Sequence, residues 1–402
     1  MRQRKQHPIV TGLDRLLGHA EKLAGRRWAL LSHGAAVTRD LRPAHLALSS
    51  SAAGRPVALF GPEHGYYGVE QDMVASADEI DTWTGVPVLS LYGDDAESLR
   101  PRPGAFDGLD LLVIDLQDVG CRYYTYAATA VWSAEIAIAQ GVEVWLLDRP
   151  NPLGGSLVEG NLRQRGFESF VGAFAMPVRH GLTLGEILRL EGKRRGWDEA
   201  GLRVWTLGGW QRSFTWDDLD RPWIAPSPNM PTPEIAALYP GSCLVEATTM
   251  SEGRGTTRPF QLVGAPGIDP KRWADALETR RLPGATILPT YFKPQFQKHA
   301  GEACGGIEIR VTDEQTLRPY RLGIEILRSA LELFPEAFDW RPEPYEFIAD
   351  IPAIDLLTGS DDFRRTVELG TAGADEMAGW LRSWRDDETA FRTERNAILL
   401  YA

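Results

Sequence analysis

Glu63 and His64 stand side by side in Phe60-Gly-Pro-Glu-His-Gly-Tyr-Tyr-Gly68. A carboxyl group can give a proton to a leaving oxygen, and an imidazole next to it can orient it. Pro62, Tyr66 and Tyr67 would keep water away from that carboxyl, which suits a general acid. The apolar run Val57-Ala-Leu-Phe60 reads as a short buried strand that Pro62 and Gly65 end. The pair then lies at the carboxyl end of a strand, where open α/β sheets bind ligands. The competing reading is structural: Glu63 caps a following helix and His64 packs on Tyr66.

Similar polar groups recur after each apolar run: Ser32 and His33, Tyr92, then Asp115, Gln117 and Asp118, then Asp148, Arg149 and Asn151. A site along one sheet edge needs such groups after every strand, and a structural accident does not. Ser251-Glu-Gly-Arg-Gly-Thr-Thr-Arg-Pro259 is a second chemical cluster. Arg254 and Arg258 near glycine amides suit a carboxylate or a phosphate, unless the loop is only a solvated charged turn. The prolines of Trp223 to Pro233 restrict the chain around Asn229 and can hold it in one pose, or serve as a rigid connector. Lys298, His299 and Glu302 lie in a loop from Phe292 to Cys304 that would face the first lobe, with plain surface charge as the alternative.

The elements that position these residues alternate. Strands are expected at Trp28 to Leu31, Val57 to Phe60, Val86 to Leu91, Leu111 to Ile114 and Val142 to Leu147. Helices are expected at Leu13 to Leu23, Leu41 to Ser50 and Tyr126 to Gln140, and at Leu182 to Lys193 with Thr183 and Glu186 as a capping box. Near-continuous apolar strands between helices imply a parallel sheet covered on both faces. Later come a short strand at Val204 to Leu207, a shorter one at Leu244-Val245, a helix from Ile268 to Leu277, strands at Ala285 to Leu288 and Gly306 to Val311, and an amphipathic helix from Arg321 to Phe334. The expected fold is α/β: a Rossmann-like lobe over residues 1–262 and a smaller α+β lobe over 263–402, with the site in the cleft between.

Composition narrows the chemistry. The chain has 402 residues, 43% of them hydrophobic and 24% charged, which suits a folded two-lobed unit. The net charge of −12 argues against nucleic-acid binding and leaves room for a local basic pocket. The three cysteines, Cys121, Cys243 and Cys304, form no zinc pattern and read as buried apolar groups. There is no GxGxxG, P-loop, HExxH or GxSxG motif, so neither a cofactor nor a metal is expected. The basic Met1 to His7 leads into Thr11-Gly-Leu-Asp14 instead of an apolar run, and no stretch is long enough to span a membrane. A cytoplasmic location is the expectation. Oligomeric state is not readable.

Longer runs carry a resemblance. They are Gly61-Pro-Glu-His-Gly65, Ser90-Leu-Tyr-Gly93, Asp115-Leu-Gln-Asp-Val-Gly-Cys-Arg-Tyr-Tyr-Thr-Tyr126, Leu147-Asp-Arg-Pro-Asn-Pro-Leu-Gly-Gly155, Val158-Glu-Gly160, Arg179-His-Gly181, Pro226-Ser-Pro-Asn-Met-Pro231, Ser251 to Phe260 and Lys298-His-Ala-Gly301. From about Leu13 to Leu369 the chain resembles the NamZ-type exo-β-N-acetylmuramidases, glycoside hydrolase family 171, formerly a domain of unknown function. The resemblance implies a Rossmann-like lobe, a smaller lobe, a site in the cleft, and release of N-acetylmuramic acid from the non-reducing end of peptidoglycan-derived chains. Glu63 matches the family's cleft glutamate. Two positions depart: the family usually has Leu-Thr-Asn-x-Thr-Gly where this chain has Leu31-Ser-His-Gly-Ala-Ala36, and usually has Glu at Gln261. Many relatives are exported.

On this reading Glu63 is the general acid and His64 orients it. The second group is Asp115, Asp118 or Glu252, or the substrate's own acetamido group, so retaining, inverting and substrate-assisted routes all stay open. Arg122, Arg254 and Arg258 are candidates for the lactyl carboxylate. Asn151 and Asn229 would read the acetamido and hydroxyl groups, and Tyr124 or Tyr126 would stack on the ring. Tyr92, Gln117 and His299 complete the expected substrate contacts. The alternative is a sugar- or muropeptide-binding protein that has lost catalysis, marked by His33 and Gln261. An esterase or amidase on the same scaffold is disfavoured by the missing nucleophile elbow and metal ligands.

Overall fold

The computed structural model describes residues 6–71, 74, 77–93, 95–102, 104–342, 344–368 and 374–402. Strands β1 (Trp28–Ser32), β2 (Leu59–Gly61), β3 (Glu79–Ile80), β4 (Pro87–Ser90), β5 (Leu111–Asp115), β6 (Glu143–Leu147) and β7 (Leu202–Trp205) form one sheet in the order β3-β4-β2-β1-β5-β6-β7. Every pairing is parallel except β3 with β4. Apart from β3, this is the doubly wound order, which changes direction between β1 and β5. Those two central strands are buried along their whole length, as apolar strands covered on both faces must be.

Helices α1 (Gly12–Leu17), α2 (Ala44–Ser49), α3 (Tyr126–Ala139) and α4 (Leu184–Arg195) belong to this lobe. The Thr183–Glu186 capping box starts α4, and left-handed Gly196 ends it. The single helix expected from Leu13 to Leu23 is two pieces. α1 stops at Gly18, and a short 3-10 turn, Ala20–Leu23, carries the stripe onward, so Leu13, Leu16, Ala20 and Leu23 still reach the core.

α5 (Pro233–Ser242) follows the proline-dense segment. Leu244 and Val245 are not a strand; they lie in a 3-10 turn, Cys243–Ala247, that continues α5. Two apolar residues cannot separate helix from strand by periodicity, and the preceding helix decides the matter here. β8 (Leu262–Ala265), β9 (Ala285–Phe292) and β10 (Cys304–Val311) make a small antiparallel sheet in the order β8-β10-β9. α6 (Pro270–Glu278), α7 (Pro319–Leu333), α8 (Ala353–Thr358), α9 (Asp362–Glu368) and α10 (Ala374–Asn396) complete the chain. One apolar core runs through both lobes, from Ile114 and Trp132 to Ile307 and Phe363. No helix among the described residues is long and apolar enough to cross a membrane.

Candidate active site

The loop after β2 is a series of tight turns. Gly65 donates to the Pro62 carbonyl (3.0 Å), Gly68 to Gly65 (3.1 Å) and Glu70 to His64 (3.2 Å). The chain folds back so closely that a β-carbon on Gly61 would lie 2.6 Å from the Tyr66 nitrogen. His64 takes the left-handed conformation (φ 70°), which is costly for a residue with a β-carbon. Glu63 is buried and lines a cavity of about 470 Å³, its mouth included. Thr125, just before α3, donates its hydroxyl to Glu63 Oε2 at 2.7 Å. His64 does not hold Glu63: its Nδ1 meets the Glu70 carbonyl at 3.0 Å, which accepts, so Nδ1 carries the hydrogen.

Residues 246–260, with Tyr345 and Glu346 of the second lobe, supply the facing wall. Arg254 Nη2 lies 2.5 Å from Glu246 Oε1, and Tyr345 donates its hydroxyl to Glu246 Oε2 at 2.7 Å. Arg254 Nε is 3.3 Å from Glu252, and its guanidinium stands over the Phe260 ring at 5.2 Å. Lys298 Nζ pins this wall from behind, meeting Glu252 at 3.0 Å and the carbonyls of Val245, Glu246 and Met250. Glu246, Arg254, Phe260, Tyr345 and Glu346 all line the cavity. Phe260 and Glu346 share the left-handed conformation of His64. Backbone strain of this kind gathers where the surrounding structure fixes a functional surface.

Of the residues singled out from sequence, Glu63, His64, Tyr124, Asn229 and Arg254 line the cavity. Asn229 donates to the Gln71 side chain at 2.8 Å. Glu252 is not in the lining but is paired with Arg254, which is. The others lie elsewhere, mostly because loop backbone groups need partners. Asp115 forms a buried fork with Arg149 at 2.5 and 2.9 Å. Gln117 donates to the carbonyls of Asp118 and Pro150. Asp118 accepts from the Gly120 amide at 2.6 Å. Arg122 serves three backbone carbonyls. Asn151 bridges Leu182 and Leu153. Tyr92 packs between Phe170 and Phe347. Arg258 is paired outward with Glu308, and His299 holds the Thr249 carbonyl at 2.9 Å. Tyr66 and Tyr67 turn away from Glu63: Tyr66 packs against His45, and Tyr67 donates to Asp81.

Sequence reasoning gave no role to Glu246, Glu346, Thr125, Ser227 or Tyr345, all of which line the cavity. Glu246 follows the misread Leu244-Val245 pair, and a helical reading there would have turned attention to it. The two departures from the family pattern lie outside the cavity lining. His33 receives the Gln117 amide on Nε2 (2.9 Å) and holds the Pro226 carbonyl through Nδ1 (3.2 Å). Burial, with Arg149 and His64 nearby, pushes its pKa down to about 3, so it is a neutral brace. Gln261 is buried next to Phe260.

Asp118 has a measurable signature. Burial raises its pKa to about 7, and His180, 3.8 Å away, is pushed down to about 3 by burial and nearby arginines. The folded state therefore binds the Asp118 proton more tightly than the unfolded chain does. The stability this lends is full at acid pH and is lost as pH rises through about 7. Asp118→Asn keeps an acceptor for Gly120 and has no charge to bury. Its stability relative to wild type is expected to rise between about pH 5 and about pH 8 in urea melts. A constant difference across that range would refute the assignment.

Residues 28–234 match the family described as exo-beta-N-acetylmuramidase NamZ, N-terminal, and residues 237–401 match its C-terminal counterpart. The chain is 36% identical over 398 residues to the peptidoglycan beta-N-acetylmuramidase NamZ of Bacillus subtilis (strain 168), covering 99% of this chain and 92% of that protein. Two crystal structures of DUF1343 family proteins from Bacteroides fragilis NCTC 9343 are similar. One has a TM-score of 0.86 at 30% identity, covering 100% of both chains. The other has a TM-score of 0.74 at 27% identity, covering 98% of this chain and 99% of that one. With both halves matched in order, the chain belongs to the exo-β-N-acetylmuramidase NamZ family.

Proposed function

We propose that this protein is a glycosidase that releases N-acetylmuramic acid from the non-reducing end of peptidoglycan-derived chains. What supports the reading is family membership over nearly the whole chain, together with a cavity that has a buried glutamate in its lining. Glu63 is the general acid, held by Thr125 so that it faces the glycosidic oxygen. Arg254 reads the lactyl carboxylate, since of the three candidate arginines it is the one that lines the cavity. Asn229 reads the acetamido or hydroxyl groups, and Tyr124 supports the ring. Glu246 and Glu346 are the carboxylates of the opposite wall.

The test is turnover of a chromogenic β-N-acetylmuramide beside the matching N-acetylglucosaminide. Fast release from the muramide alone is expected. Binding of muramic acid with no turnover of either sugar would replace the enzyme with a binding protein. Arg254→Met is expected to cut kcat/KM on the muramide by about tenfold to a hundredfold more than on the glucosaminide, the loss of one charge-assisted bond to the carboxylate. Equal losses on both sugars would remove that role.

A further inference from the structure

We propose that the crevice outside the carboxyl ends of β1, β5 and β6 is a second binding site, for a small oxyanion: a carboxylate or a phosphate. It lies where the strand order changes direction, between β1 and β5, which is where doubly wound sheets place ligands. The Glu63 cavity lies elsewhere, and the proline-dense segment borders both. Arg221, Pro222 and Ile224 face the crevice, while Ser227 and Asn229 face the cavity. Between them the Pro226 carbonyl is fixed by the Tyr126 hydroxyl at 2.7 Å and by His33.

The crevice encloses about 330 Å³, its mouth included. Arg39, Arg149 and Arg221 line it together with Thr38, Gln117 and Trp216, and among the described residues no carboxylate does. Among the described residues the Glu63 cavity has the opposite balance, with three glutamates to one arginine. In a chain of net charge −12, a wall of three guanidiniums calls for an explanation.

Carboxylates behind the wall aim the guanidiniums. Arg149 forks onto Asp115 through Nε and Nη2. Arg221 uses Nε and Nη2 on the Ile9 carbonyl, and Nη2 also meets Asp14. Arg39 uses Nη2 on Asp220. In each case the Nη1 group donates to no described residue. Arg149 is only 5% exposed and Arg221 only 9%, so what solvent their spare donors reach is that of the crevice they line. A fully buried donor that lacks an acceptor is costly. The Trp216 indole nitrogen also finds no acceptor among the described residues, although it is buried. The three cations are close enough to act on each other: after burial, Arg149 and Arg39 both lower the Arg221 pKa, against Asp14, which raises it. An oxyanion between the Nη1 groups of Arg149 and Arg221 would satisfy both donors and relieve the repulsion.

The oxyanion has two possible sources, a free phosphate or the carboxylate of a muramyl sugar, and titration calorimetry on the full chain separates them. Sodium phosphate is titrated at an ionic strength held constant with sodium chloride, and N-acetylmuramic acid and N-acetylglucosamine follow in the same buffer. Saturable binding is expected, one ligand to a chain. It should be weakened several-fold in Arg39→Gln, abolished in Arg221→Gln and retained in Glu63→Gln. Competition by N-acetylmuramic acid but not by N-acetylglucosamine assigns the site to the sugar's carboxylate. Phosphate binding with no such competition assigns it to a free oxyanion. Arg39 is more than half exposed, so Arg39→Gln keeps the test valid should Arg221→Gln fail to fold. If neither phosphate nor N-acetylmuramic acid shows saturable binding that Arg39→Gln weakens, the site does not exist.

Discussion

Glu63→Gln is expected to lower kcat on an aryl β-N-acetylmuramide by about 10²- to 10⁴-fold, the range that general acid catalysis supplies. Glutamine has the same shape, and its amide oxygen can still accept the Thr125 hydroxyl, which now reaches Oε2 at 2.7 Å. What it lacks is a proton to give. The loss should therefore depend on the leaving group. A phenol that departs readily as an anion needs little help, so a dinitrophenyl muramide should suffer far less than an alkyl one. A merely structural role for Glu63 would slow both alike, and unaltered turnover of the alkyl substrate would end the assignment. Thr125→Val removes the hydroxyl and leaves the carboxyl. Its loss should be nearer tenfold, the worth of one hydrogen bond.

The Glu63 loop was legible because its signals are local. An apolar strand stops at a proline and two glycines, and the carboxylate sits where the chain must turn. The parallel sheet was legible for a similar reason, since β1 and β5 are buried throughout and apolar up to their last residues, Ser32 and Asp115. The partners of Glu63 were harder to read. A polar residue after a strand can face a ligand or satisfy the backbone of its own loop, and the sequence looks the same in both cases. Asn151 and Gln117 took the second course, each bonded to nearby carbonyls. Asp115 is committed to Arg149, a pairing that depends on β5 and β6 being neighbours. Glu246, Tyr345 and Glu346 reach the cavity only through tertiary packing, and no local pattern marks them. His33 and Gln261, the departures that argued for lost catalysis, lie outside the lining of the cavity that holds Glu63. They carry no case against activity.

Arg122 separates a structural from a substrate-reading arginine. As a reader of the lactyl carboxylate, its loss would change sugar selectivity and leave the fold intact. In the structure its Nη1 donates to the carbonyls of Asn161 (2.9 Å) and Met176 (2.8 Å), and its Nη2 to that of Leu357 (2.8 Å). The first two belong to loops of the first lobe and the third to α8 of the second, so one side chain ties the lobes together. It is 5% exposed, and burial lowers its pKa, the mark of a cation held by neutral acceptors instead of a carboxylate. Arg122→Met keeps the length of the stem and leaves three buried carbonyls without their donor. The expected cost is about 3–5 kcal/mol, read as a lower urea midpoint. The fraction that stays folded should keep the wild-type ratio of muramide to glucosaminide turnover, because nothing in the Glu63 cavity has changed. A tenfold fall in that ratio with the urea midpoint unmoved would return Arg122 to the substrate site, and Arg254 would then no longer be needed to read the carboxylate.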